Sequence, residues 1–352
     1  MARMKAALLE GIETIAVRET EVPAPGDHEA LLKVETCTVC GSDLKIFTHG
    51  NRRVQYPTIV GHEVSGTIVE VGSQVRELAP GVRVAIGADV PGVWNTNVPG
   101  KDEHVDYATG HEFPGGFAEY MLLNEWMLRY GPVTRIPDTL SFDAAALAEP
   151  LACAVKGLEM AQFSAGKSVC IIGLGPIGIM LLEVVTHLGA SRVFGVQRSR
   201  PRLELARSFV PGARYIATGE EDLRQVIADE TLGRGVDIVI TSAGSVKSHE
   251  DAIHIVAPGG YVNLFGGLRG EPELCIDSNL IHYKECFVMG SHGSHPRHHK
   301  LAVQFLDQGI VHGDDYISKR FDLDDIENAY RFHASREGLK AAVKPQGLER
   351  GV

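Results

Sequence analysis

The sequence predicts two domains of different class, a β domain followed by an α/β domain built on a doubly wound parallel sheet. The first observation is the length, since 352 residues are more than one hydrophobic core usually organises. The second is that residues 1–150 contain short β-branched runs bounded by glycine and proline. The third is the change near residue 151, after which strand-length apolar runs alternate with helix-length amphipathic stretches.

Residues 1–150 are predicted to form an all-β domain rich in turns. The clearest strand signals in this part of the chain lie at 31–35, 63–72 and 81–86. These runs are short and of mixed polarity, which is typical of a closed or strongly curved antiparallel sheet. We therefore expect an antiparallel β domain that ends near residue 150.

Residues 151–290 are predicted to form the parallel α/β domain. Strand-length apolar runs occur at 168–172, 192–196, 236–241, 260–265 and 287–290. Helix-length stretches separate them, which favours a parallel sheet covered by helices. The rhythm ends after residue 291, where helical stretches near 297–308 and 324–334 precede a strand at 339–345. We expect residues 291–352 to return to the first domain.

A glycine-rich turn follows the first strand of the α/β domain. It consists of Gly173, Leu174, Gly175, Pro176, Ile177 and Gly178, and an apolar helical run follows it. In a G-x-G-x-x-G turn between a strand and a helix, the first glycine permits the tight turn and the second lets a diphosphate approach the backbone. The third lets helix and strand pack closely. We predict that this turn, Pro176 and Ile177 included, binds the diphosphate of a dinucleotide at the helix N-terminus.

The end of the second strand indicates which dinucleotide is bound. NAD-binding turns usually place an acidic residue about 20 positions after the glycines, where it accepts hydrogen bonds from the ribose. This chain has Gln197 there, followed by Arg198, Ser199 and Arg200. Guanidinium groups offer paired donors to phosphate oxygens, so the sequence predicts a preference for NADP over NAD. The alternative is a solvated basic loop that leads into a helix.

Possible metal ligands occur in three segments, all of which precede the glycine turn. Cys40 is followed by Gly-Ser-Asp, His62 and Glu63 follow a glycine, and Glu149 precedes a proline. One thiolate, one imidazole and one or two carboxylates form a set that zinc accepts in catalytic sites. Taken singly, each residue could be structural: a buried thiol, a satisfied histidine, or a glutamate that begins a helix. Their joint occurrence before a nucleotide fold favours a metal site.

These segments resemble the zinc-dependent branch of the medium-chain dehydrogenase/reductase family, and in particular its polyol and sugar dehydrogenases such as sorbitol dehydrogenase. The resemblance covers nearly the whole chain, in the order of 40–43, 61–63, 149–151 and 173–178. It implies a GroES-like antiparallel β domain, a Rossmann domain and an active site in the cleft between them. It also implies that Cys40 and His62 hold zinc with Glu63 as third ligand, while Glu149 ligates the zinc or hydrogen-bonds its water.

The resemblance further implies the reaction. Zinc would bind the hydroxyl of a secondary alcohol of a polyol, sugar or cyclitol, and hydride would pass between that carbon and NADP. Ser42 matches the hydroxyl that relays the substrate proton, although it could instead make a local turn hydrogen bond. Asp43 is expected to orient His62 or the nearby backbone. Two alternatives remain: a threonine-type amino-alcohol dehydrogenase that uses NAD, and a catalytically inactive nucleotide-binding protein.

Many relatives carry a lobe with four closely spaced cysteines that holds a structural zinc. The corresponding segment of this chain, between about residues 88 and 116, contains no cysteine. A site built on thiolates is impossible there. His104 and His111 could hold a metal with nearby acids, or they could be solvent-facing loop residues. We expect one catalytic zinc per subunit and no structural zinc.

Composition restricts the partners. The chain has 34 basic and 45 acidic residues, which provides no long-range attraction for nucleic acid or an anionic membrane surface. We expect a small-molecule alcohol or ketone as the partner, no nucleic acid, no membrane, a cytoplasmic location, and assembly into a homodimer or homotetramer. The six cysteines are scattered through a large chain, so we expect no disulfide framework.

Overall fold

The computed structural model describes residues 2–90, 107–268, 270 and 272–348. The chain forms two compact units. The first contains Met1–Ala152 together with Gly293–Val352, and the second contains Cys153–His292. The unit limits lie two residues from the domain limits of 150 and 290 expected from the sequence.

Within the described residues, the first unit begins with ten strands and three short helices. They are β1 (Arg3–Gly11), β2 (Thr14–Glu21), β3 (Ala30–Thr38), α1 (Gly41–His49), β4 (Thr58–Ile59), β5 (Glu63–Val71), β6 (Arg83–Ile86), β7 (Asp89–Val90), β8 (Tyr107–Ala108), β9 (Tyr120–Leu123), α2 (Glu125–Tyr130), β10 (Val133–Arg135) and α3 (Phe142–Ala146). The prediction of an all-β domain is therefore wrong on one point, because the domain also contains short helices. The helices are only five to nine residues long and depend on local caps, such as Asn124 before α2 and Ser141 before α3.

The second unit contains a six-stranded parallel sheet. Its elements are α4 (Ala148–Met160), which begins in the first unit, then β11 (Ser168–Ile172), α5 (Pro176–His187), β12 (Arg192–Gln197), α6 (Arg200–Phe209), β13 (Arg214–Ala217), α7 (Leu223–Glu230), β14 (Val236–Thr241), α8 (Val246–Ile255), β15 (Val256–Leu264), α9 (Ser278–Lys284) and β16 (Phe287–Gly290). The strand order is β13-β12-β11-β14-β15-β16, and every pair is parallel. This is the doubly wound order with a switch point beside β11, so the predicted fold class is confirmed.

The last part of the chain returns to the first unit. It contains α10 (Pro296–Asp307), β17 (Ile317–Asp322), α11 (Ile326–Ser335) and β18 (Lys340–Lys344), with short 3₁₀ helices at Gly313–Tyr316 and Leu323–Asp325. Strand β18 pairs antiparallel with β3, which completes a sheet of order β10-β6-β5-β3-β18-β17 with β9 also on β3. The pair β17 and β18 is parallel, a departure from the expected antiparallel sheet. None of the helices in the described residues combines the length and apolar character needed to cross a bilayer.

A buried carboxylate joins this return to the rest of the first unit. Asp143 accepts hydrogen bonds from Thr36 Oγ1 at 2.7 Å, Lys344 Nζ at 2.8 Å and Arg320 Nε at 2.6 Å. Burial raises the pKa of this carboxyl, but the hydrogen bonds and charges of Lys344 and Arg320 outweigh it and hold the pKa below its ordinary value. The ionised carboxylate therefore stabilises β3, β17 and β18 together.

We expect Asp143→Asn to lower the stability of the first unit by about 2–3 kcal/mol at pH 7, because it leaves two cations without their anion. The folded-state pKa is lowered, so this stabilisation is present above the unfolded value of about 4 and is lost as the pH falls through the folded value. The urea midpoints of the variant and the unmodified protein should converge in acid. The control is Asp138→Asn, whose side chain is 100% exposed; equal midpoints for all three proteins at pH 7 would contradict the expectation.

Candidate active site

Cys40 lies at the start of α1, where a carboxylate holds its backbone. Strand β3 ends at Thr38, and Cys40 is the N-cap of the helix in an extended conformation. Asp43, in the first turn, accepts a hydrogen bond from the Cys40 N–H with Oδ2 at 2.8 Å. This bond satisfies one of the free backbone donors of the helix start. The half-buried thiol of Cys40 is thereby held in one place.

His62 is buried between Asp43 and Ser42. Its Nδ1 lies 3.3 Å from Asp43 Oδ1, close enough for a charge interaction but without hydrogen-bond alignment, and its Nε2 lies 3.2 Å from Ser42 Oγ. Burial lowers the pKa of His62, but the charges of Asp43 and Cys40 outweigh burial and raise the pKa well above its ordinary value. A carboxylate beside one ring nitrogen is the usual way to orient a histidine that binds metal through the other.

Glu63 is fully buried and begins β5, directly across the sheet from Thr38 of β3. Thr38 Oγ1 donates to Oε2, and Lys340 Nζ on β18 lies 2.5 Å from each carboxylate oxygen. The side chain of Lys340 is only 3% exposed. An ionised carboxylate offers about four lone-pair positions, and these contacts use one on Oε1 and two on Oε2. Oε1 therefore keeps one position for a further partner.

The donor atoms of Cys40, His62 and Glu63 all lie within 4.8 Å of one another. The sequence separates Cys40 from the other two, and the pairing of β3 with β5 brings them together. One sulfur, one nitrogen and one oxygen in a buried group are donors that zinc accepts. The side chains therefore fit a zinc ion, and the positive charge of Lys340 balances part of the negative charge of the group.

Glu149 is buried at the second residue of α4, within electrostatic range of this group. Burial raises the pKa of Glu149 to about 7, with His62 acting in the opposite sense and Glu63 and Asp89 adding to the rise. Glu149 and Asp89 also belong to a second group of closely spaced potential donor atoms. Asp89 was not predicted from the sequence; its Oδ2 accepts the backbone N–H of Ser294 at 2.7 Å. Burial and the neighbouring carboxylates therefore favour the neutral form of Glu149 more than in an exposed glutamate.

The segment expected between about residues 88 and 116 is described only at its two ends. Residues 91–106, including His104, lie outside the described residues. His111 is half-buried rather than solvent-facing, and its ring centroid lies 6.1 Å from that of His62. Burial and the neighbouring His62 lower its pKa. His111 therefore lies beside His62 of the candidate metal group, a position that the sequence did not predict.

The glycine turn has the space that a diphosphate needs. Gly173 has a φ of +103°, and a side chain there would meet Ala243 N at 2.7 Å. A Cβ on Gly178 would meet the Gly173 carbonyl at 1.9 Å, whereas one on Gly175 would meet nothing within 4 Å. Pro176 and Ile177 are the first residues of α5. Close packing at two glycines and open space at the helix start fit a bound dinucleotide.

The loop after β12 contains one arginine without a side-chain partner among the described residues and one that is paired. Gln197 Oε1 accepts the Leu174 N–H of the glycine turn at 3.1 Å. Arg198 is exposed and forms no hydrogen bond or ion pair within the described part of the chain. Ser199 is the N-cap of α6 and makes no side-chain cap hydrogen bond. Arg200 pairs with Glu220 through Nε at 2.7 Å and through Nη2.

Comparison with known proteins agrees with both units. The family model described as the alcohol dehydrogenase GroES-like domain matches residues 26–138. The model described as zinc-binding dehydrogenase matches residues 176–308. Together they span the candidate ligands Cys40, His62 and Glu63 and the helix that follows the glycine turn.

Individual relatives align over almost the entire chain. D-xylulose reductase A of Aspergillus oryzae is 30% identical over 96% of this chain and 95% of its own. A solved zinc-binding dehydrogenase of Sinorhizobium meliloti, bound to NADP, is 30% identical with a TM-score of 0.88 and covers 98% of this chain and 100% of its own. The structure of 2R,3R-butanediol dehydrogenase from Bacillus subtilis is 27% identical with a TM-score of 0.87, covering 97% and 99%. The chain belongs to the zinc-dependent medium-chain dehydrogenases and is an alcohol dehydrogenase of that family.

Proposed function

We propose that this protein interconverts a secondary alcohol of a polyol, sugar or cyclitol and its ketone, with zinc and NADP. The observation that carries the proposal is the buried group of Cys40, His62 and Glu63, with the carboxyl of Glu149 in electrostatic range. The similarity to a xylulose reductase and a butanediol dehydrogenase supports a substrate with several hydroxyl groups.

In this proposal Cys40, His62 and Glu63 hold the zinc, and Glu149 ligates it or bonds its water. Zinc supplies a Lewis acid that lowers the pKa of a bound alcohol, and NADP supplies the acceptor for its hydride. Asp43 keeps the backbone of Cys40 and the ring of His62 in place through contacts of 2.8 and 3.3 Å. Lys340 holds Glu63 in its buried position and balances its charge.

The proton of the substrate hydroxyl needs an acceptor next to the metal group. We propose Ser42, because its Oγ reaches the same nitrogen of His62 that would face the zinc. The hydroxyl can accept one proton and donate its own onwards, so it relays the proton without changing charge. Glu149 lies within electrostatic range of His62 and Glu63, so its carboxylate is placed to accept a hydrogen bond from a water on the metal.

For the nucleotide, we propose that the turn of Gly173, Gly175 and Gly178, with Pro176 and Ile177, binds the diphosphate. The loop of Gln197, Arg198, Ser199 and Arg200 then binds the 2′-phosphate of NADP. Two observations support this assignment: the guanidinium of Arg198 has no partner among the described residues, and the start of α6 at Ser199 lacks a side-chain cap. The NADP found in the Sinorhizobium meliloti relative is consistent with it.

The proposed function is tested by a screen of polyols, cyclitols and their ketones with NADP and NAD at fixed salt. We expect turnover of one or more of these compounds, with a higher kcat/KM for NADP than for NAD. Turnover of threonine with NAD alone would favour the amino-alcohol alternative. Failure of the zinc-loaded protein to turn over any alcohol or amino alcohol, with the nucleotide bound, would favour an inactive nucleotide-binding protein.

We also propose that the subunits form a homodimer or homotetramer in the cytoplasm. Strand β16 is the edge of the parallel sheet, and its first residue, Phe287, is 53% exposed, while Tyr283 of the preceding helix α9 is 78% exposed. Phe287 stacks on Tyr261 at 4.8 Å, which makes an apolar patch on that edge. A light-scattering mass equal to one subunit would contradict the assembly, and recovery of the native protein outside the cytoplasmic fraction would contradict the location.

A further inference from the structure

The acidic loop at residues 218–222 lies directly against the proposed phosphate loop at residues 197–200. Strands β12 and β13 are parallel neighbours, with Gln197 opposite Ala217 at their carboxyl ends. Beyond that point the Thr218 N–H donates to the Gln197 carbonyl at 3.1 Å. A Cβ on Gly219 would lie 3.1 Å from the Arg198 carbonyl oxygen. The loop that follows β13 therefore runs beside the loop that follows β12.

Glu220, in this acidic loop, forms a bidentate ion pair with the Arg200 guanidinium. Glu220 Oε1 accepts a hydrogen bond from Arg200 Nε at 2.7 Å, and Oε2 accepts one from Nη2. The side chain of Arg200 is 68% exposed and that of Glu220 is 47% exposed. The hydrogen bond to Glu220 raises the pKa of Arg200, and the same bond lowers the pKa of Glu220. Both groups are therefore charged, and they neutralise each other.

The neighbouring carboxylate has a different partner. Glu221 accepts from Arg214 Nη2 at 2.7 Å and from the Ala217 N–H at 3.1 Å. These contacts hold Glu221 against Arg214 and β13, and its charge acts on Arg200 without a direct hydrogen bond. The two adjacent acids therefore have separate roles, and only Glu220 forms an ion pair with the proposed phosphate loop.

We infer that Glu220 is a specificity-determining residue that lowers the affinity for NADP by neutralising Arg200, an inference that rests on the proposed binding of the 2′-phosphate by residues 197–200. A guanidinium held by a carboxylate through two bonds must exchange that partner, or share it, before it can bind a phosphate. The negative charge of the Glu220 carboxylate also repels the 2′-phosphate dianion, which would bind next to Arg200. NAD has no 2′-phosphate, so Glu220 leaves its affinity unchanged. Glu220 therefore reduces the ratio of the affinity for NADP to the affinity for NAD.

The test compares Glu220→Gln with the unmodified zinc-loaded protein. Dissociation constants for NADP and NAD are measured by titration calorimetry at low and high salt. We expect Glu220→Gln to tighten NADP binding by roughly threefold to tenfold at low salt, the size expected for one exposed charge near a phosphate. Salt should reduce the gain, because exposed charges are screened. The affinity for NAD should not change.

Three variants establish that the effect is specific. Glu221→Gln removes the same charge one residue away and should give a smaller gain, because Arg214 holds that carboxylate. Glu220→Asp keeps the charge and should behave like the unmodified protein. In an Arg200→Ala background, Glu220→Gln should give a smaller gain in NADP affinity than in the unmodified protein, because only the direct repulsion between Glu220 and the phosphate is then removed.

Several outcomes would overturn the inference. Weaker NADP binding in Glu220→Gln would mean that Glu220 orients Arg200 for the phosphate, and equal changes for both nucleotides would mean a structural role in the loop. If Arg198→Ala weakens NADP binding but Glu220→Gln changes nothing, the inference fails and the proposed phosphate loop stands. If neither variant changes the affinity for NADP, the phosphate loop is wrong and the inference fails with it.

Discussion

Replacing Cys40 or His62 with alanine should abolish turnover while the protein still binds its nucleotide. Each variant removes one of the three donor atoms that lie within 4.8 Å of one another. We expect a loss of zinc and a fall in turnover of more than about a hundredfold. Removal of a residue that only supports a metal ligand usually costs at most about a hundredfold, and removal of the ligand itself should cost more. Nucleotide binding should persist, because the glycine turn belongs to the other compact unit of the chain. Zinc content, kcat and nucleotide affinity are measured on the same samples.

Two matched variants accompany this experiment. Cys37→Ala replaces a fully buried cysteine three positions before Cys40 and outside the donor group, so zinc and turnover should persist. Asp43→Asn keeps the shape of the residue that touches Cys40 and His62, and should cost about 10- to 100-fold in zinc affinity or turnover. Loss of nucleotide affinity in a folded, zinc-free Cys40 or His62 variant would contradict the separation of the two functions.

Replacing Arg198 with alanine should weaken NADP binding by about ten- to a hundredfold. A charge-assisted hydrogen bond contributes roughly 1.5–3 kcal/mol, and Arg198 has no competing partner within the described residues. Arg200→Ala should cost less, because Glu220 already occupies that guanidinium. The affinity for NAD should change little in either variant.

The converse change should favour NAD. Gln197→Asp with Arg200→Ala supplies a carboxylate that can accept from the ribose hydroxyls and repels the 2′-phosphate. The readout is the ratio of kcat/KM for the two nucleotides, measured with one substrate at fixed salt. If the unmodified protein already prefers NAD and Arg198→Ala leaves NADP binding unchanged, the arginines form only a solvated loop.

Much of the fold could be predicted because its signals are local. The strands of the parallel sheet are apolar runs separated by helices, and 168–172, 236–241 and 287–290 coincide with β11, β14 and β16. Helix α1 was not predicted, because its nine residues depend on one capping contact between Asp43 and the Cys40 backbone. The pairing of β18 with β3 was expected only as a return of the chain, without its register.

The residues that pair with the charged groups of the site could not be predicted from the sequence, for a different reason. Lys340 lies 277 positions after Glu63, and Glu220 lies 20 positions after Arg200. Neither pair belongs to a motif. The strand order β5-β3-β18 brings Lys340 to Glu63, and the pairing of β12 with β13 brings the loops of Arg200 and Glu220 together. Asp89 and His111 lie in the 88–116 segment, where the sequence left a metal role for His111 as an alternative and did not indicate its position beside His62. Residue types therefore predicted the candidate ligands, while the charges that balance them required the structure.

The central claim is that one zinc ion in the group of Cys40, His62 and Glu63 supports turnover. It is tested most directly by removing zinc with a chelator and titrating it back while alcohol oxidation and bound zinc per subunit are measured together. We predict that activity is lost on chelation and is fully restored at one zinc per subunit, since Cys40, His62 and Glu63 offer one sulfur, one nitrogen and one oxygen to a single ion and the 88–116 segment has no cysteine. Full activity without zinc, or a requirement for two zinc ions per subunit, would contradict the claim.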